Sequence, residues 1–407
     1  MPGLKRSATK SINELLRLFP CVAILGARQV GKSFLLKQLF PKERIYDFED
    51  EDDLNLAKVS IKTFVQNSKY PLIIDEAQLL PELFKTLRVE IDRDRKKNGR
   101  FLITGSSSPQ LLKDISESLA GRIAMFELGN FSFEEAYSKS PSKFSFAINS
   151  LEKLKKLQPR YSKEEIHDLL FYGQFPEPFL KRENLRFQKL WMKNYFKTYV
   201  DRDIRILFPG LSFETYKKFI KMLAFSSGNP VNISDIAKSL DVSQPTIKSY
   251  LDIAEGTFLW RNIKPYTMNI NTRIIKAPKG YIRDTGLINY SLGISSPDEL
   301  KSHPKSGSIW EVFVIEQIIK SLQNNLIDND YLYLRTKNKA EIDFIIEGES
   351  GLIPIEIKSG TITDPRKLIS LQNFVKASDT KFGIVINSSD EVRMLTENII
   401  QIPVTYL

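Results

Sequence analysis

The chain has little cysteine, little histidine and no long apolar run. It contains one cysteine, Cys21, and two histidines, His167 and His303, so an internal disulfide is impossible and a Cys/His zinc site is not expected. Cys21 falls in an apolar segment, where a small buried side chain is the simpler interpretation. No stretch approaches the roughly 20 apolar residues of a membrane-spanning helix, and residues 1–20 lack the apolar segment of a signal peptide. We therefore expect a cytoplasmic protein without a membrane partner.

Composition favours a folded, basic protein. Hydrophobic residues make up 42% and charged residues 27% of the 407 residues, which argues against large-scale disorder and leaves room for about two or three domains. Lysine and arginine number 59 against 49 acidic residues, for a net charge of +10. This excess favours a polyanionic partner such as DNA, RNA or nucleotide phosphates, without choosing among them.

Short apolar segments alternate with helical patterns in the first third of the chain. The pattern predicts strands at 21–25, 44–48, 72–74, 101–104 and 123–127, with a helix at 33–40 after the first strand. Such alternation predicts a parallel sheet covered by helices. Residues 131–223 are rich in Lys, Glu, Phe and Tyr at helical spacing, which predicts a helical lid or connector.

A glycine-rich loop joins the first strand to its helix. It matches the phosphate-loop pattern of glycine, four residues and Gly-Lys-Ser/Thr, and it consists of Gly26, Ala27, Arg28, Gln29, Val30, Gly31, Lys32 and Ser33. Its N–H groups and the positive end of the helix suit an anion, Lys32 suits the β- and γ-phosphates, and the Ser33 hydroxyl suits Mg²⁺. Together with Phe34, the loop is predicted to bind ATP. A plain turn is the alternative.

Two acidic residues, Asp75 and Glu76, follow the strand at 72–74. We expect Asp75 to bind Mg²⁺, directly or through water, and Glu76 to polarise the attacking water. A helix N-cap is the alternative role for Asp75. At the end of the strand at 101–104, Thr104 or Ser106 could sense the γ-phosphate, although a polar turn explains these residues nearly as well.

An arginine that neutralises charge on the γ-phosphoryl group has two candidate sources. Arg122 is the first choice, and the cluster at 201–205 is the second. A surface salt bridge is the alternative for either. Arg122 could act within its own chain, whereas an arginine supplied by a neighbour would require a homo-oligomer.

Residues 234–265 carry a helix-turn-helix pattern. Helices are predicted at 234–240 and 245–255, with a turn at 241–243, a cap at Ser243, a stop at Gly256 and a wing at 257–265. Gln244, Thr246, Lys248 and Ser249 would then face outward, and these side-chain types contact bases and phosphates. The pattern predicts a winged helix, for which DNA and a protein partner both remain open.

The last part of the chain contains three acidic residues and a lysine on predicted elements. Glu311 lies on a predicted helix at 309–322, Asp343 on a strand, and Glu356 and Lys358 on the next strand, where residues two apart share a face. Asp343 and Glu356 could bind Mg²⁺ while Lys358 stabilises charge at a scissile phosphate. This set predicts phosphodiester hydrolysis. A surface strand of alternating charges is the alternative.

The sequence resembles the bacterial and archaeal AAA-type P-loop ATPases that end in a PD-(D/E)xK nuclease-like domain. The resemblance covers nearly the whole chain and rests on GARQVGKS (26–33), IDEAQ (74–78), TGSSS (104–108), LAGR (119–122), YGQFPEP (172–178), YVDRDI (199–204), DTGL (284–287), IDF (342–344) and IEIK (355–358). It implies an α/β protein with a P-loop ATPase domain at 1–145, a helical connector at 146–228, a winged helix at 229–295 and a restriction-endonuclease-like domain at 296–407.

The same resemblance implies a function. We expect a Mg²⁺-dependent ATPase that couples its nucleotide state to a winged helix and a nuclease-like domain acting on DNA, with catalytic roles for Lys32, Glu76 and Arg122. The nuclease roles of Glu311, Asp343, Glu356 and Lys358 depend on a domain that is often catalytically silent in relatives. The alternatives are a nucleotide-gated scaffold with a silent C-terminal domain and an ATP-regulated DNA nuclease.

Overall fold

The computed structural model describes residues 4–106, 115, 117–199, 204, 208, 210–266, 279–335, 341–361, 368–378 and 380–407. The chain divides into two compact units, residues 1–131 with 252–259 and residues 132–251 with 260–407. Each unit has its own sheet.

The first unit contains a parallel sheet in the order β2-β3-β4-β1-β5. Its strands are β1 (Cys21–Gly26), β2 (Ile45–Asp47), β3 (Leu72–Asp75), β4 (Phe101–Ser106) and β5 (Ile123–Glu127). The predicted parallel sheet is confirmed. Because β4 lies between β1 and β3, the residues that follow these strands meet at one edge of the sheet.

Helices cover this sheet with their apolar faces. They are α1 (Ala8–Leu18), α2 (Lys32–Leu39), α3 (Glu51–Val59), α4 (Ile61–Asn67) and α5 (Glu82–Arg93). In α5 the fourfold spacing of Leu83, Leu87 and Ile91 places all of them in the core. Cys21 is fully buried, and burial raises the pKa of its thiol, in agreement with a packing role.

The second unit begins with helices. They are α6 (Phe133–Ala136), α7 (Phe144–Ala147), α8 (Leu151–Leu154), α9 (Lys163–Tyr172), α10 (Pro176–Leu180) and α11 (Leu185–Thr198). A capping box starts α9, since Glu165 N–H donates to Ser162 Oγ at 3.0 Å and Ser162 N–H donates to Glu165 Oε2 at 2.8 Å. The predicted helical character of this region is confirmed for the described residues.

Three helices and three short strands follow. They are α12 (Phe213–Ser226), β6 (Asn229–Pro230), α13 (Ile233–Leu240), α14 (Gln244–Gly256), β7 (Trp260–Pro265) and β8 (Lys279–Ile282). Asp241 ends α13 in the left-handed conformation, with φ 54°, and Val242 N–H donates to Ala237 O at 3.1 Å. Gln244, Lys248 and Ser249 are exposed on α14, as expected. The predicted wing at 257–265 contains β7, which pairs with β8 and β9, and the winged helix stays a prediction.

The remaining elements complete a mixed sheet. They are α15 (Thr285–Leu292), α16 (Pro297–Ser302), α17 (Ser306–Gln323), β9 (Asn329–Arg335), β10 (Glu341–Gly348), β11 (Gly351–Ile357), α18 (Ile369–Ala377), β12 (Gly383–Asn387), β13 (Arg393–Thr396) and β14 (Ile399–Pro403). The strand order is β13-β14-β12-β11-β10-β9-β7-β8-β6. Because β7 pairs with β9, the regions predicted as separate domains at 229–295 and 296–407 share one sheet.

Two of the motifs that carry the family resemblance meet in this unit. Gln174 N–H donates to Asp284 Oδ2 at 2.7 Å, and Lys320 Nζ donates to Gln174 Oε1 at 2.8 Å. A Cβ on Gly286 would lie 2.7 Å from Tyr172 O, so only glycine allows this approach. The motifs therefore form a buried polar contact between helices. Throughout the described ranges, no helix combines the length and apolarity needed to cross a membrane.

Candidate functional site

The loop between β1 and α2 has a left-handed backbone at Gly31 and a close backbone contact at Gly26, both of which favour glycine. Gly31 has φ 96° and directly precedes α2, whereas Gln29 adopts φ 62°. A Cβ on Gly26 would lie 2.4 Å from Leu128 O, so a larger residue would displace the loop. The structure thus places the predicted loop at the carboxyl edge of the sheet, at the start of a helix.

Lys32 is buried beneath this loop. Its Nζ donates to Gly26 O and Ala27 O, both at 3.1 Å, and lies 3.9 Å from Glu76 Oε1. Burial lowers the pKa of Lys32, although the charge of Glu76 opposes the shift. An ammonium held mainly by neutral carbonyls is suited to exchange them for phosphate oxygens.

Asp75 ends β3 and is joined to the neighbouring strand through Thr104. The Thr104 hydroxyl donates to Asp75 Oδ1 and accepts a hydrogen bond from Glu76 N–H at 3.2 Å. Both Asp75 and Thr104 are buried. Thr104 therefore fixes the two acidic residues relative to the strand that ends beside the loop.

Glu76 is held by polar groups around its carboxylate. Ser106 donates to it from its hydroxyl, at 2.7 Å to Oε2, and from its N–H, at 3.1 Å, while Gln78 Nε2 also donates to Oε2. Burial alone would raise the pKa of Glu76, but Lys32, Gln78 and Ser106 together lower it. Glu76 is thus an ionised acceptor near neutral pH.

The oxygen donors at this edge fit Mg²⁺ chemically. Ser33 is exposed on the first turn of α2, and Asp75 supplies a carboxylate, so both are hard oxygen ligands. No group of three or more His, Cys, Asp or Glu within the described ranges could hold a metal ion. Mg²⁺ at phosphate sites needs only one or two carboxylates, because phosphates and water complete its shell.

Some features of the loop could not be read from the sequence. The buried guanidinium of Arg6 donates to Val30 O at 2.5 Å and to Gly129 O at 2.7 Å, and thereby supports the loop from below. No motif contains Arg6. Arg28 forms an ion pair with Glu49 at 3.2 Å, and Phe34 is 40% exposed on α2.

Arg122 lies away from this site. It immediately precedes β5, whereas the loop follows β1, and these strands are parallel, so the two lie at opposite edges of the sheet. Its guanidinium pairs with Asp92, with Nε–Oδ1 at 2.7 Å and Nη2–Oδ2 at 3.0 Å. The prediction that Arg122 acts within its own chain is therefore wrong. Arg202 and Arg205, in the second predicted cluster, lie outside the described residues.

The second unit brings together most of the predicted C-terminal residues. Asp343 on β10 accepts a hydrogen bond from Ile357 N–H at 2.8 Å, next to Glu356 on β11. Lys358 Nζ lies 2.5 Å from Glu356 Oε1 and 3.4 Å from Asp343 Oδ2. We call Glu311, Glu341, Asp343, Glu356, Lys358 and Lys279 the carboxylate–lysine cluster.

The sequence did not single out two members of this cluster, Glu341 and Lys279, of which Lys279 is buried. It enters from β8, is 2% exposed, forms an ion pair with Glu311 Oε1 on α17 and lies 3.5 Å from Glu341 Oε1. A single lysine before a glycine carries no pattern that distinguishes it from a surface residue. Its pairing with Ile263 of β7 on one side and Pro230 of β6 on the other places it in the interior of the sheet.

The predicted acidic residues of the carboxylate–lysine cluster are largely buried and paired with lysines. Burial raises the pKa of Glu311 to about 8 and that of Glu356 to about 7, with Asp343 adding to both shifts. Each of the three predicted acidic residues is already paired with an ammonium group. Lys358 pairs with both Asp343 and Glu356, while Glu356 Oε2 has no hydrogen-bond partner among the described residues, and Mg²⁺ binding by these two carboxylates stays a prediction.

Comparison with known proteins divides the chain into matched families. Residues 19–137 match the AAA domain family, so the first unit contains an AAA-type, P-loop ATPase-like domain. Residues 163–298 match a domain of unknown function, DUF8612, and residues 306–407 match another, DUF4143.

Relatives extend over most of the chain. An uncharacterized protein of Mycobacterium tuberculosis, Rv2008c, is 32% identical over 355 residues, which cover 87% of this chain and 74% of the relative. MJ1544 of Methanocaldococcus jannaschii is 26% identical over 80% of this chain and 72% of the relative. Among solved structures, the Walker-type ATPase paby2304 of Pyrococcus abyssi is 15% identical, covering 70% of this chain and 95% of that chain, with a TM-score of 0.40.

Proposed function

Because this chain belongs to the same family as the mycobacterial protein Rv2008c and carries an AAA domain, we propose that it binds ATP with Mg²⁺ and hydrolyses it. One observation carries the proposal. Lys32 at the start of α2, Asp75 and Glu76 at the end of β3, and Thr104 on β4 are linked to one another beside the loop at residues 26–33. A lysine, paired acids and a hydroxyl at one such edge suit phosphoryl transfer.

The residues take different roles in this proposal. The N–H groups from Gly26 to Phe34 and the Lys32 ammonium bind the phosphates, while Ser33 and Asp75 hold Mg²⁺. Held there by Ser33 and Asp75, Mg²⁺ would supply positive charge to the β- and γ-phosphates. Glu76, oriented by Ser106 and Thr104, accepts a proton from the attacking water.

We also propose that nucleotide state is coupled to DNA binding by α13 and α14. The exposed Gln244, Lys248 and Ser249, with the half-buried Thr246, are side chains that contact bases and phosphates, and the net charge of +10 favours a polyanion. A nucleotide-gated scaffold with negligible turnover is the alternative. Phosphate release in the presence and absence of duplex and single-stranded DNA separates these functions.

The test of the nucleotide site is Lys32→Ala. We expect this variant to lose tight ATP binding, measured by calorimetry with Mg²⁺, because it removes the buried ammonium that is proposed to bind the phosphates. Lys37→Ala, an exposed lysine of the same helix, is the matched control and should bind ATP as the wild type does. Unchanged affinity in Lys32→Ala would refute the assignment.

The C-terminal domain is proposed as a nuclease-like module that is catalytically silent in this arrangement. This choice is supported by the lysines that occupy its carboxylates. An ATP-regulated DNA nuclease is the alternative, and it predicts Mg²⁺-dependent cleavage that disappears in Asp343→Ala. Absence of cleavage of single- or double-stranded DNA, with and without ATP, would exclude it.

A further inference from the structure

The carboxylate–lysine cluster contains a buried ammonium group between acidic side chains from different elements. Lys279 comes from β8, Glu311 from α17 and Glu341 from β10, so the lysine joins a helix and two strands that are distant in sequence. Its side chain is 2% exposed. Burying a charge this deeply is costly unless opposite charges surround it.

Acidic side chains outnumber ammonium groups in the cluster. Glu311, Glu341, Asp343 and Glu356 are accompanied by two ammonium groups, Lys279 and Lys358. Glu356 Oε2 is buried and, among the described residues, has no hydrogen-bond partner. The cluster therefore needs the Lys279 charge, and Glu356 Oε2 is an oxygen left to bind a divalent cation once that charge is removed.

We propose that the Lys279 ammonium takes the place of a divalent metal ion in the carboxylate–lysine cluster, so that the C-terminal domain excludes such ions and uses the cluster to hold β8 against α17 and β10. This proposal rests on the silent nuclease-like module proposed above. Lys279 is a positioning residue. Removing its ammonium leaves Glu311, Asp343 and Glu356 short of positive charge, and hard oxygen donors in that state bind a divalent cation.

The experiment measures Mn²⁺ binding to the full chain without nucleotide, by electron paramagnetic resonance. We expect Lys279→Met to bind Mn²⁺ at least tenfold more tightly than the wild type, and Lys279→Arg, which keeps the charge, to bind it no better. Adding Asp343→Asn to Lys279→Met should remove the gain. Lys264→Met, an exposed lysine of the neighbouring strand β7, is the matched control and should behave as the wild type.

A second variant covers the case in which Lys279→Met does not fold. Lys279→Met combined with Glu311→Gln removes one charge of each sign and keeps Asp343 and Glu356, so it should fold and still gain Mn²⁺ binding. A folded variant of either kind without that gain would overturn the proposal. So would wild-type protein that binds Mn²⁺ through Asp343, shown by loss of binding in Asp343→Asn alone.

Measuring phosphate release in the same variants distinguishes a failure of this proposal from a failure of the proposed ATPase. Lys279 lies in the second unit, whereas Lys32 and Glu76 lie in the first. Phosphate release should therefore be the same in Lys279→Met and in the wild type. Absence of phosphate release in the wild type would contradict the proposed ATPase. Absence of the gain in Mn²⁺ binding alone would contradict only the role of Lys279.

Discussion

Ser106 donates two hydrogen bonds to Glu76, one from its hydroxyl at 2.7 Å and one from its backbone N–H at 3.1 Å, both to Oε2. Glu76 itself has a left-handed backbone, with φ 54°, a conformation that a non-glycine residue keeps only where surrounding contacts hold it. Ser106 is thus placed to aim the proposed catalytic carboxylate.

Ser106→Ala should lower kcat about tenfold and leave KM for ATP nearly unchanged, because it removes one hydrogen bond to a charged group while the N–H bond persists. Steady-state phosphate release measures both constants. Thr63→Ala, which removes an exposed hydroxyl in α4, is the control. Equal kcat values for Ser106→Ala and wild type would show that Ser106 does not orient Glu76.

Arg6→Met should weaken ATP binding about tenfold and lower the melting temperature. The substitution removes the guanidinium that donates hydrogen bonds to Val30 O and Gly129 O. A buried acceptor left without a partner lowers the free energy of unfolding by about 1–3 kcal/mol. Calorimetry and thermal unfolding measure the two effects. Lys5→Met, at the exposed neighbouring position, should change neither. Wild-type affinity in Arg6→Met would mean that the loop holds its conformation without this support.

The contrast between Arg6 and the loop shows what the sequence could predict. The strand, the loop and the start of α2 are contiguous, and local backbone chemistry requires glycine at Gly31, so the motif alone identified them. Arg6 and Lys279 act through contacts with residues far away in sequence, and no local pattern marks them. Only the packing of whole elements brings these side chains to their partners.

The sequence contains enough information to exclude a contact between Arg122 and the phosphate-binding loop within one chain. The sequence predicted both the strand at 123–127 and its parallel arrangement. A residue that precedes a parallel strand lies at the opposite edge from one that follows such a strand. The strand direction, combined with the position of Gly26 after β1, therefore excludes a contact between Arg122 and the loop in one chain.

Arg122→Ala should leave phosphate release by dilute protein unchanged, since the side chain is paired with Asp92 at the far edge of the sheet. Asp92→Ala breaks the same exposed ion pair and should give the same result. The measurement is kcat over a range of protein concentrations. A kcat that falls at least a hundredfold in Arg122→Ala but not in Asp92→Ala would contradict this expectation and indicate an arginine supplied by a second copy.

Glu316 makes the stability of the second unit depend on pH in the acid range. Its Oε1 accepts from Arg261 Nε at 2.5 Å and from Arg283 Nε at 3.2 Å. Burial alone would raise the pKa of Glu316, but these guanidinium groups lower it to about 2. Since the folded pKa lies below the unfolded value, the ionised carboxylate stabilises the fold above pH 4.5, and this contribution is lost as the pH falls from 4.5 towards about 2.

Glu316→Gln should therefore remove part of the acid sensitivity. The shift of the Glu316 pKa corresponds to roughly 3 kcal/mol of unfolding free energy, and the neutral amide cannot supply it at any pH. We expect the variant to be less stable than the wild type at pH 7 and to approach it near pH 3, measured by urea unfolding across this range. Exposed Glu214→Gln in α12 is the control and should keep the wild-type profile. A difference in stability that stays constant between pH 7 and pH 3 would show that the two arginines do not stabilise the ionised form of Glu316.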